Sequence, residues 1–172
     1  DFVGCRLEDE GADVEPFTQE QIDAVNVVLA QVAEWMQEPG AELYVEVQFA
    51  MPDIHKDAFG RCDVAVVTPD RARILDAKYG IGVAVEARNP EGDEVAGNDQ
   101  GLYYAAGFRR YLAAVGREMP DAIDIVIAQP RKPHDDGPIR TFTTDLVGLF
   151  EFEATLASVL AATDEPNAPC IP

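Results

Sequence analysis

Two β-rich runs, residues 61–67 and 72–78, flank the tetrapeptide Thr68-Pro69-Asp70-Arg71, and no other feature of the chain restricts its fold as tightly. Proline presets φ at the second position of a four-residue turn and aspartate suits the third, so the runs read as a β-hairpin. A turn over 68–71 puts Val67 opposite Ala72 and, counting back, Asp63 opposite Asp76. Side chains alternate along a strand, so Ala65, Val67, Ala72, Ile74 and Lys78 share the face of the two aspartates, whose Cβ atoms then stand roughly 4.5–5.5 Å apart. Like charges that close are destabilising without a partner. Two carboxylates beside a backbone carbonyl are hard oxygen ligands suited to Mg²⁺ or Mn²⁺, and Lys78 reaches the same patch. A one-residue bulge would break this register.

The hairpin needs a sheet and a cover. Thr18 and Gln21 have the form of a capping box, and Ile22, Val25, Leu29, Val32 and Met36 recur at helical spacing until Pro39-Gly40, predicting a helix over 19–37 whose apolar stripe, with Trp35, packs in the core. Residues 42–49 alternate, predicting a half-buried strand with Leu43, Val45, Val47 and Phe49 on one face and Tyr44, Glu46 and Gln48 on the other. Residues 81–87 extend the sheet in this reading, and 88–97 form a polar loop. A helix follows from a cap at Asn98 past Tyr111, then an apolar strand over 123–129 ended by Pro130, a short strand over 139–142 and a helix over 145–161. The fold class is α/β, an α+β mixed sheet flanked by helices, in one domain over 1–172 with mobile ends at 1–17 and 163–172. The start at Asp1 without Met points to a missing helical segment upstream.

With 32 acidic side chains against 13 Lys plus Arg, the formal net charge is −19, and residues 1–60 hold 14 of the acids with only Arg6 and Lys56. Such a field repels nucleic acid at long range, and the N-terminal acids read as a solubilising surface. No run approaches the roughly 18 apolar residues of a membrane span. The chain reads as soluble, without membrane contact. Three separated cysteines, Cys5, Cys62 and Cys170, indicate neither a disulfide framework nor a zinc site, and a reducing cytoplasm fits them. Cys62 alternates away from Asp63 and packs in the core. Gly80-Ile81-Gly82 lacks the third glycine of a dinucleotide loop. Arg61, Arg88, Arg109, Arg110, Arg131 and Lys132 either hold a phosphate backbone or balance neighbouring acids.

The ordered set Gly60-Arg61-Cys62-Asp63, Asp76-Ala77-Lys78 and Gln100-x-x-x-Tyr104 resembles the PD-(D/E)XK nuclease superfamily, in its RecB-like branch with the Q-x-x-x-Y motif. Tyr79, Gly80, Ile81, Gly82 and Val85, then Asn98, Leu102, Ala105 and Gly107, and Gln129-Pro130-Arg131 downstream are similar to an uncharacterised phage and prophage branch; the resemblance runs from about Tyr44 to Phe142. It implies that Asp63, Asp76 and the Ala77 carbonyl bind Mg²⁺ or Mn²⁺, and that Lys78 orients or activates the attacking water. It also implies that Gln100 and Tyr104, four apart on one helical face, position substrate and a ligand carboxylate. Glu46 is either a third acidic group or a solvated strand acid. Arg109, Arg110 and Arg131 are candidate phosphate contacts. The implied function is an exonuclease-like, metal-dependent DNA nuclease of phage recombination or DNA processing acting on linear or single-stranded ends. The alternative is an inactive module of the same fold that binds a protein partner or a second copy. Two departures stand out: no upstream G-x-x-x-H motif is present, His55 and His134 reading as surface histidines, and the loop 88–97 is longer and more acidic than the branch requires.

Overall fold

The computed structural model describes residues 17–89 and 96–164, so the segment 7–16, Cys5, Cys170 and the end of the chain lie outside the described residues. In chain order the elements are α1 (Gln19–Trp35), β1 (Glu42–Ala50), β2 (Phe59–Val67), β3 (Arg71–Ala77), β4 (Arg88–Asn89), β5 (Ala96–Gly97), α2 (Asp99–Ala114), β6 (Ala122–Ala128), β7 (Ile139–Thr144) and α3 (Leu146–Thr163). A five-stranded mixed sheet runs β1-β2-β3-β6-β7, with β3 and β6 parallel and every other neighbour antiparallel; β4 and β5 form a separate small pair. This is the expected mixed sheet flanked by helices.

The helix N-termini follow from local chemistry. Thr18 and Gln21 form the reciprocal capping box, and the side chains of Asn98 and Asp145 cap α2 and α3 by accepting from Gly101 and Gly148 N–H. The stripe expected on α1 is rotated. Ala24 and Trp35 are buried, and Val28, Val32 and Met36 pack with Trp35 against Val66, Leu75, Val126 and Ala128 on one sheet face. Ile22, Val25 and Leu29 remain 42%, 48% and 43% exposed. Trp35, the largest apolar side chain on the helix, goes to the sheet, where the Arg73 guanidinium lies 5.4 Å from its ring centre, and it takes the residues three, seven and eleven positions before it along.

The opposite sheet face carries α2 and α3 over the larger core of Ile74, Ile123, Ile125, Leu102, Phe108 and Leu112. Glycines let α2 approach closely: a Cβ at Gly101 would run into Ile125, and one at Gly107 into the Phe49 ring. We expect Gly107→Ala to destabilise the fold by about 1–3 kcal/mol through overpacking, despite the ~1 kcal/mol that alanine gains in helix propensity. Thermal unfolding of the variant checks it, and an unchanged melting temperature would show that α2 can recede from the sheet.

Three other expectations need correction. Residues 81–87 do not extend the sheet, because the buried Gln129 side chain replaces a ladder: its Nε2 donates to the Gly80 and Val83 carbonyls and its Oε1 accepts from Val85 N–H. The face assignment on β1 fails halfway, since Tyr44 packs edge-on to Phe108 in the same core as Val47 and Phe49, while Leu43 and Val45 are exposed. Finally, α3 is long and apolar enough to cross a membrane by length and composition, with mean hydropathy 1.5. It packs on the domain along one side only: Leu149 is fully buried and the carboxylate of Glu153 is held by Arg109 and Arg110 of α2, while Val147, Phe150 and Val159 are exposed. Glu153→Ala is expected to cost roughly 3 kcal/mol, because it leaves two half-buried guanidinium groups without that partner. Denaturant unfolding checks this.

Candidate functional site

The site forms where the two central strands depart from a regular ladder. The hairpin register is the expected one, with Val67 opposite Ala72, Val66 opposite Arg73, Ala65 opposite Ile74 and Val64 opposite Leu75, and there the ladder stops. One step further, Asp63 and Asp76 come together without backbone pairing, and the Asp63 carboxylate accepts from Ala77 N–H at 3.0 Å. On the other side of β2, Val45 pairs with Val64 and Val47 with Cys62, but Glu46 and Asp63 between them do not pair. Glu46 has φ of 55°, the one non-glycine residue with positive φ among the described residues. Both strands change facing here: Tyr44 and Val47 of β1, opposite Ala65 and Cys62 of β2, all enter the α2-side core. Irregularities of this kind re-aim side chains and are common beside functional sites. Cys62 is buried as expected, but it lies in the same core as Ala65, not on the opposite face. Burial first, and then the charges of Asp63 and Asp76, push its thiol up to about 12, so it stays protonated and unreactive.

Asp76 is 4% exposed at the end of β3. Burial holds its carboxyl above the ordinary 3.8, with Asp63 adding to the shift and Lys78 opposing it. Lys78 Nζ lies 2.8 Å from Asp76 Oδ2, yet this fully buried oxygen has no aligned hydrogen-bond donor among the described residues. From the other side α2 presents its first turn. Lys78 Nζ donates to Gln100 Oε1 at 2.7 Å, and Gln100 Nε2 donates to the Tyr104 hydroxyl at 2.6 Å. Asp63, Asp76, Lys78, Gln100 and Tyr104, expected together from sequence, are thus one connected cluster. Glu46 adjoins Asp63, with its carboxylate on Arg61 Nε at 2.7 Å. A buried carboxylate, a second carboxylate beside it and the end of a strand with its carbonyls suit a hard divalent cation.

The three candidate phosphate contacts are each paired with an acid of the chain. Arg109 is bidentate on Glu153, Arg110 bridges Asp53 and Glu153, and Arg131 pairs with Glu20 on α1 at 2.9 Å while lying over the Tyr79 ring. They balance acids within the chain.

A second constellation had no sequence signal, because Glu86 lies 48 residues from His134. Glu86, His134 and Asp136 each place one ligand atom within 4.8 Å of the others. The ring nitrogens of His134 are both engaged: Asp136 N–H donates to Nδ1, so Nε2 keeps its proton and gives it to Glu86 Oε1 at 2.6 Å. A metal at Nε2 requires the opposite tautomer. Beside this pair the buried Arg140 donates to the Val85 and Gly137 carbonyls and to Gln129, so the group organises the loop after β3. His55 pairs with Asp164.

No curated protein matches the chain. A family model described as "Protein of unknown function (DUF2800)" matches residues 8–166, nearly the whole sequence. The chain therefore belongs to the DUF2800 family.

Proposed function

We propose that this chain is a divalent-cation-dependent DNA nuclease of the PD-(D/E)XK type, hydrolysing phosphodiester bonds at the end of β3. The observation that carries this reading is the buried Asp76 carboxylate placed against Asp63, with Lys78 Nζ 2.8 Å away as its one polar contact from a side-chain cation among the described residues, under the Gln100–Tyr104 pair. A dead scaffold has no reason to keep opposed carboxylates there, since they cost stability. Asp63, Asp76 and the Ala77 carbonyl would hold Mg²⁺ or Mn²⁺, which when bound supplies a water of lowered pKa and neutralises charge on the phosphate.

The chain's own residues do the rest. Lys78, tethered by Gln100, keeps its ammonium beside Asp76 and can hold the attacking water or the phosphate through its remaining protons. Gln100 orients Lys78 with its carbonyl and Tyr104 with its amide. The Tyr104 hydroxyl, accepting from Gln100, retains its own proton for a phosphate oxygen. The cluster therefore offers donors on one side and carboxylates on the other, as in-line displacement at phosphorus requires.

The second reading, an inactive module on the same fold that binds a protein partner, is favoured by the net charge of −19 and by the engagement of Arg109, Arg110 and Arg131 with acids. Incubating the full chain with linear and circular DNA in Mg²⁺, in Mn²⁺ and in chelator separates the two. Cleavage confined to the metal-containing samples is expected. Intact DNA in samples where Mn²⁺ binding is independently measured would leave the inactive module.

A further inference from the structure

Between Lys78 and the cap of α2 the chain leaves the sheet as a strap over 79–87, and one side chain holds its first half. Lys78 N–H makes the last rung of the ladder, to the Ala128 carbonyl at 2.8 Å. From there the buried Gln129 commits its whole amide to the strap: Nε2 donates to the Gly80 and Val83 carbonyls at 3.2 and 3.0 Å, and Oε1 accepts from Val85 N–H at 3.0 Å. That Oε1 also accepts from Arg140 at 2.9 Å, and Arg140 donates in turn to the Val85 carbonyl. Packing holds the strap little, because Ile81 and Val83 stand 62% and 86% exposed. Its far end is tied to α2: Asn98 Nδ2 donates to the Glu86 carbonyl and Asn98 N–H to the Ala87 carbonyl, both at 2.9 Å, and Gln100 follows two residues on.

We propose that Gln129 is a positioning residue for Lys78, setting where the ammonium meets Asp76 and Gln100. The proposal rests on the nuclease reading and adds a residue outside the five of the cluster. Ile127 stands beside Asp76 in the parallel register, so Gln129, two residues further, lies on the same face of the sheet as Asp76. A lysine carries its charge on a flexible four-carbon stem, so the place of Nζ depends on what holds the tip and what holds the root. The tip is held by Gln100 Oε1 at 2.7 Å and lies 2.8 Å from Asp76. The root is held by the Ala128 carbonyl and, two residues later, by Gln129 on Gly80. The two halves of the strap have separate anchors. Without the Gln129 amide the Gly80 and Val83 carbonyls lose their donor, whereas Arg140 still holds Val85 and Asn98 still holds Glu86 and Ala87. The loosening therefore falls on the half that carries Lys78.

The test is Gln129→Leu in the full chain, read by cleavage of linear DNA in Mn²⁺ and by the side-chain amide signal of Gln100 in proton–nitrogen correlation spectra, identified by its loss in Gln100→Ala. The kcat should fall by about 10- to 100-fold, the cost of a displacement near 1 Å, with KM and the Mn²⁺-induced rise in melting temperature unchanged. In the Lys78→Ala background Gln129→Leu should cost nothing further, because the group it positions is gone. The Gln100 amide signal should move in Gln129→Leu in the direction in which it moves in Lys78→Ala. Gln129→Glu decides the matter if Gln129→Leu unfolds. One carboxylate oxygen still accepts from Val85 N–H and Arg140, while the other faces the Gly80 and Val83 carbonyls and repels them, so the same loss of rate is expected. A loss as large in Lys78→Ala as in the wild type, wild-type turnover in a folded variant of either kind, or a Gln100 signal unmoved in both variants overturns the proposal. If the wild type cleaves nothing, the nuclease reading falls and the Gln100 signal alone decides: a shift in the Gln129 variants supports the positioning of Lys78, and an unmoved signal overturns it.

Discussion

Asp76→Asn should lose cleavage down to the level of the chelator control and lose the stabilisation that a bound cation confers. At Mn²⁺ about a hundred times its Kd, a single site raises unfolding free energy by about 2.7 kcal/mol. That gain should be present in the wild type and absent in the variant, measured by thermal unfolding with and without Mn²⁺. The same variant tests the electrostatics of the metal-free protein. Burial raises the Asp76 carboxyl above 3.8, so the folded chain holds that proton to higher pH than the unfolded chain does. The unfolded state binds fewer protons across this window, so stability falls as pH rises from 3.8 through the raised value, and it stays lower above it. Asp76→Asn cannot titrate there, and its stability curve should lack that fall. A Mn²⁺-induced rise in melting temperature that survives intact in Asp76→Asn would move the cation site away from β3.

Lys78→Ala should separate binding from turnover. The ammonium acts on water and phosphate, so its loss is expected to slow cleavage by about 10²–10⁴-fold, the usual worth of a positioned proton-transfer group. Mn²⁺ should still bind, but with an altered pH dependence. Lys78 is the group that opposes the upward shift at Asp76. Without it the carboxyl stays protonated to higher pH, so the midpoint of Mn²⁺ binding should move upward in pH, as titration calorimetry across a pH series would show. Gln100→Ala, which frees Lys78 from its tether while keeping the charge, should give a smaller loss of rate and little change in that midpoint. Wild-type turnover in Lys78→Ala would refute the mechanism.

The hairpin, with its turn and register, was legible because the relevant physics is local: Pro69 presets a backbone angle, and alternation carries the register back along both strands to Asp63 and Asp76. The helix starts at Thr18, Asn98 and Asp145 were legible for the same reason, each a side chain satisfying N–H groups a few residues away. The alternation on β1 misled at Glu46, where a positive φ, which residue type alone does not reveal, reverses the facing of the half of the strand before it relative to the half after it. On α1, helical spacing established an apolar surface wider than the sheet could cover. Which part of it is buried was decided by Trp35 docking against Leu75 and Val126, residues distant in sequence.

What the sequence by itself determined about this protein is therefore the hairpin, the caps and the identity of the five residues in the cluster at the end of β3. Tertiary structure alone decided that Asp76 is buried with Lys78 as its ion-pair partner, that Arg109, Arg110 and Arg131 are already matched to Glu153, Asp53 and Glu20, and that Gln129 and Arg140 hold the loop after β3 in place of a sixth strand. The division has a physical cause. Turn geometry, capping and alternation act over a few residues and leave periodic traces in the chain, whereas burial and ion pairing join side chains brought together only by packing, at separations that carry no sequence period.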